Sequence, residues 1–77
     1  MSSSAIYRIA VRGQLDAGLA RHFDGLNLSE EKQSDLPPIS ILVGRFVDQA
    51  ALTGLLHSLY ELHLPLVSVE CVLVEPT

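Results

Sequence analysis

Few side chains in this sequence have the type and spacing that chemistry asks for. His57 and Glu61 stand four residues apart, one helical turn, and with His22 and His63 they raise the question of a metal site. Zinc needs three or four converging ligands, and this spacing supplies one pair without the H-E-x-x-H arrangement of a metalloprotease helix. A solvated polar helix face is the simpler reading, and no metal or other cofactor is expected. His63, close to a helix C-terminus, suits the carbonyl ends when protonated. Cys71 is the only cysteine. A nucleophilic thiol needs a cation or a helix N-terminus beside it, and nothing nearby in sequence provides one, so Cys71 reads as a packed side chain in a strand row with Val67, Val69 and Leu73. Arg8, Arg12 and Arg45 remain. Guanidinium forks match carboxylate and phosphate geometry, so these three are candidate ligands for a small anionic molecule. The plainer alternative is that Arg8 or Arg12 pairs with Glu70 across neighbouring strands. There is no G-x-x-x-x-G-K phosphate loop and no nucleophile elbow, and no residue stands out as catalytic.

The elements that must position these residues are easier to read. Residues 48–65, DQAALTGLLHSLYELHLP, describe an amphipathic helix with a start and a stop. Asp48 can accept from the free N–H groups of the first turn, and its charge suits the positive end of the helix dipole. Leu52, Leu55, Leu56, Leu59 and Leu62 recur at the spacing of one buried face, with Gln49, Thr53, His57 and Glu61 opposite. Pro65 cannot continue the helix and biases Leu64 towards extended backbone, so the helix ends near His63.

Residues 1–4 are small and polar and read as a tail. Residues 6–15 alternate, with Tyr7, Ile9 and Val11 on one side and Ile6, Arg8, Ala10 and Arg12 on the other, the pattern of a half-buried strand. Gly13 marks its exit. Asp16 can cap a short helix over residues 16–23, in which Leu15, Leu19 and Phe23 recur every fourth position. Asp24-Gly25 is a turn signal, and residues 26–29 alternate as a short edge strand. Residues 30–38, EEKQSDLPP, read as an exposed polar loop. Residues 39–47 are almost continuously apolar and β-branched, as in a central strand covered on both faces. Residues 66–75 form a last strand.

The expected order is therefore strand, helix, strand, strand, helix, strand. Two strand–helix–strand units of this kind give a ferredoxin-like βαββαβ fold, α+β, with a four-stranded antiparallel sheet and both helices on one face. Residues 5–77 are expected to form that single domain. If the helices cover Tyr7, Ile9 and Val11, the opposite face shows Ile6, Ala10, Ile41, Val43, Leu66, Val72 and Val74, much apolar surface for a monomer to leave in water.

A 48% apolar, nearly all-aliphatic composition gives a packed core rather than a disordered chain, but at 77 residues that core is marginal without a supplement. One cysteine rules out an intrachain disulfide, so an oligomeric contact is the natural candidate. The absence of a signal-peptide pattern points to the cytoplasm, and no apolar run approaches the roughly 20 residues needed to cross a bilayer. A formal charge of −4 disfavours nonspecific nucleic-acid binding. RNA-recognition domains share the expected topology but stack bases on aromatic side chains at the open face, and here that face has none.

Residues 44–56, GRFVDQAALTGLL, continued by residues 64–70, LPLVSVE, resemble a group of short bacterial proteins of no assigned function, in which a DQAALxGLL helix runs into a leucine-proline turn and a final strand. The turn Phe23-Asp24-Gly25-Leu26 belongs to the same likeness, while Thr53 replaces a histidine common in the group. The resemblance implies a fold and no chemistry. The expected function is a small non-catalytic protein-interaction module, a homodimer or the partner of another protein, joined through Ile6, Ala10, Ile41, Val43, Val72 and Val74. The alternatives are a sensor of anionic metabolites using Arg8, Arg12 and Arg45, or a small dimeric α+β barrel enzyme using His22 or His57 as a proton carrier.

Overall fold

A computed structural model describes residues 4–16, 18 and 26–75. Strands β1 (Ala5–Arg12), β2 (Asn27–Gln33), β3 (Leu36–Phe46) and β4 (Leu66–Val74) form one antiparallel sheet in the order β2-β3-β1-β4, with helix α1 (Gln49–Glu61) between β3 and β4. β3 is central, as its apolar run predicts, and β1 is the other central strand. The expected ferredoxin-like βαββαβ arrangement with two helices does not form: among the described residues a single helix accompanies the four strands. The expected helix over residues 16–23 lies outside the described residues except at Asp16 and Gly18, where the Asp16 carboxylate accepts from the Gly18 N–H at 3.0 Å.

Helix α1 begins as its sequence requires. Asp48 is extended and its carboxylate accepts from Ala51 N–H at 2.9 Å. Leu55 and Leu59 are buried, with Ala51, Leu52 and Leu56 packed beside them against Ile9, Val11, Leu42 and Phe46 of the sheet. Leu62 does not share this face. It is the C-cap, half exposed, because the chain leaves the helix there. His63 takes a left-handed conformation (φ 59°), its N–H donates to Tyr60 O at 2.9 Å, and Leu64 N–H donates to Leu59 O at 3.2 Å. These two bonds, with Leu64 packed against the core cluster that contains Leu59, make a Schellman stop.

The expected loop at residues 30–38 is instead a β-hairpin. β2 continues through Glu30, Glu31, Lys32 and Gln33, turns at Ser34-Asp35, and pairs with β3 from Gln33↔Leu36 onwards. Edge-strand residues exposed to water need no apolar alternation, so their composition concealed the strand. The prolines fit because Pro37 and Pro38 stand opposite Lys32, where the register shifts and ladder bonds are interrupted. β1 ends at Arg12 rather than continuing to residue 15. Gly13 turns the chain with φ 118°, donating to Pro38 O at 2.7 Å, while Arg12 N–H donates to Pro65 O at 2.9 Å.

Candidate functional site

Directly opposed residues of an antiparallel sheet share a face. The pairings Asn27–Val43–Arg8–Glu70, Ser29–Ile41–Ala10–Ser68 and Glu31–Ile39–Arg12 therefore run as rows across the face away from α1, with Arg45–Ile6–Leu73 as the next row. Ile6, Ala10, Ile41 and Val43 lie on this open face as expected. Its apolar centre is small: Ala10, Ile39 and Ile41 form a buried cluster with Val43 packed against it. A frame of Arg8, Arg12, Glu31, Arg45 and Glu70 surrounds it.

Val72, Val74 and Leu66 do not complete this face. Relative to β1, β4 carries an extra residue between Cys71 and Leu73 and another between Leu66 and Ser68. Val72 is thus the unpaired residue of a bulge, Val74 is aligned with Ala5, and Leu66 with Val11, on the side of the sheet that carries α1. Each bulge reverses the two-residue alternation beyond it. Strict alternation read through the strand gave the wrong side at both ends.

Most of β4 is nevertheless exposed. Leu66, Val67, Val69, Val72, Leu73 and Val74 account for six of the ten large apolar side chains exposed among the described residues. Cys71, expected to be packed, is an exposed free thiol, because the outermost strand lacks the cover that α1 gives β1 and β3.

The three arginines are not brought together. Arg8 forms an ion pair with Glu70 at 3.2 Å, both side chains partly in solvent. Arg45 Nε donates to Glu75 at 2.6 Å, and its guanidinium also reaches Ser4 Oγ at 3.3 Å. Ser4, read as part of a tail, is held there, its hydroxyl donating to the same carboxylate at 2.8 Å. The Ser4 hydroxyl and the Arg45 guanidinium hold the Glu75 carboxyl below its ordinary value of 4.5. Arg12 pairs with Ile39, six residues along β1 from the row of Arg45, a backbone distance of about 20 Å. One small anion cannot engage both ends of that line.

His57 is exposed on the outer side of α1, its ring 6.4 Å from that of Tyr60. His22 lies outside the described residues. Among the described residues no three histidine, cysteine, aspartate or glutamate side chains cluster at metal-binding distance. A cavity of about 310 Å³ is lined by Gln14, Glu30, Lys32, Leu36 and Pro38, at the hairpin end of the sheet and without His57 or any of the three arginines. No described helix is long and apolar enough to cross a membrane.

These elements define a small α+β domain, an antiparallel sheet with a helix on one face and one apolar edge strand. The chain belongs to the family described as a domain of unknown function, DUF8691, whose model matches residues 6–70, from β1 into β4. No curated protein and no solved structure matches it.

Proposed function

We propose that this chain is a non-catalytic interaction module that works by self-association, using the sheet surface that includes β4. The observation that carries the reading is the concentration of exposed leucine and valine on one nine-residue strand. A domain of this size gains little from its own core, and contact with a second copy would remove that surface from water. The anion-sensor reading ranks below it because Arg8 and Arg45 are already held by carboxylates and stand in different rows.

Light scattering after size exclusion, at low and high micromolar concentration, tests the proposal. A dimer mass is expected at the higher concentration, and Val72→Asp, at a side chain 59% exposed, should return the protein to a monomer without unfolding it. A monomer mass throughout would remove the reading. Ile41→Asp is no substitute, because Ile41 is only 5% exposed and a buried charge there would test the fold instead.

A further inference from the structure

The manner in which two copies meet can be argued further, resting on the reading that the chain self-associates. The exposed apolar side chains of β4 occupy both sides of the sheet. Leu73 shares a row with Ile6 on the open face, whereas Leu66, Val69 and Val74 are aligned with Val11, Ile9 and Ala5 on the helix side. Packing two sheets face to face covers one of these sets and leaves the other in water. A strand laid along the outer edge of β4 flanks both.

The two edges of the sheet differ in the same sense. β2 carries Glu30, Glu31 and Lys32 in succession, the charged composition that keeps sheet edges apart. β4 has one charged residue among its nine, Glu70, and that charge is matched by Arg8. β4 pairs with β1 on one side, and among the described residues no strand pairs with its other side. The bulges lie towards its ends and leave residues 68–71 in regular register.

We infer that β4 pairs antiparallel with β4 of a second copy about a two-fold axis normal to the sheet, forming one continuous eight-stranded sheet. Pairing β4 with β2 of another copy would set the charged edge against the apolar one and, being head-to-tail, would propagate instead of closing. The six apolar residues of β4 that are 37–63% exposed flank the β4–β4 seam, so a partner strand covers their edges while its backbone satisfies the free edge groups. Charge limits the register. An axis through Glu70 would oppose two carboxylates, whereas an axis through Val69 sets Glu70 opposite Ser68 of the second copy, whose hydroxyl can donate to it.

The test uses the full chain at low and high micromolar concentration, with mass by light scattering and amide hydrogen exchange by NMR. Alternate N–H groups within residues 68–71, those pointing away from β1, should exchange at least tenfold more slowly as the dimer forms, while β2 amides stay unchanged. Val72→Lys, at an exposed bulge position, should abolish both the mass change and the added protection. A dimer mass without concentration-dependent protection of β4 would overturn edge pairing and leave self-association standing. A monomer mass throughout would overturn both.

Discussion

Ser40 illustrates how one side chain can fix a turn that the sequence does not announce. It is a polar residue in an apolar strand, 1% exposed, and both of its hydrogen-bonding capacities are used: the hydroxyl donates to Gly13 O at 2.6 Å and accepts from Leu15 N–H at 3.1 Å. The exit of β1 is thereby pinned to the side of β3 that faces the core. Ser40→Ala would leave the Gly13 carbonyl and the Leu15 N–H without that partner, and the cost of a buried polar group left unpaired is about 1–3 kcal/mol. Urea unfolding should show a lower midpoint with an unchanged slope. An unaltered midpoint would mean that water takes over both bonds. The sequence made the serine visible as an exception in the run ISILVG, but its partners lie 25 and 27 residues away, beyond the reach of local pattern. Cys71 was misread for a related reason: its row neighbours are apolar, but whether a row is covered depends on what packs above it.

At the scale of elements, legibility followed how local the determining physics is. The start of α1 needs only Asp48 and the first-turn N–H groups, and its buried face only the leucine spacing, so both were readable. β1 was readable because a buried row imposes alternation, and the core of β3 because its run from Ile39 is almost continuously apolar and β-branched. The hairpin at residues 30–38 and the bulges of β4 were not, since exposed edge strands carry little pattern and a bulge changes phase without a residue type to mark it. The end of α1 lies between these cases. Pro65 announced it, but the turn is made by His63 in the left-handed conformation that glycine adopts without steric cost. A non-glycine residue loses about 1–2 kcal/mol there, partly offset because glycine gives the unfolded chain more freedom. His63→Gly is therefore expected to stabilise the protein by about 0.5–1 kcal/mol, read as a higher thermal midpoint. A lower midpoint would show that the imidazole makes a contribution the backbone argument omits.

Across the whole molecule, one cluster ties together segments that no local feature connects. Ser4 and Glu75 are 71 residues apart in sequence, yet the Ser4 hydroxyl donates to the Glu75 carboxylate, Glu75 N–H donates to Ser4 O at 2.9 Å, and Arg45, next to the last residue of β3, closes on the same oxygen. The cluster thus clasps β1, β3 and β4 at one end of the sheet, beside the exposed Leu73 and Val74. Hydrogen bonds from Ser4 and then Arg45 favour the charged carboxylate, which lowers its pKa in the folded state. A depressed carboxyl pKa contributes stability above the unfolded value, and the contribution is lost as pH falls through the folded one. Wild type should therefore exceed Glu75→Gln in thermal midpoint at neutral pH, and the gap should close as pH falls below the ordinary value of 4.5, where the wild-type carboxyl takes up its proton. Because the group is partly in solvent, added salt should narrow the gap at neutral pH as well. A gap that persists unchanged into acid would mean that the clasp depends on shape and packing rather than on the charge of Glu75.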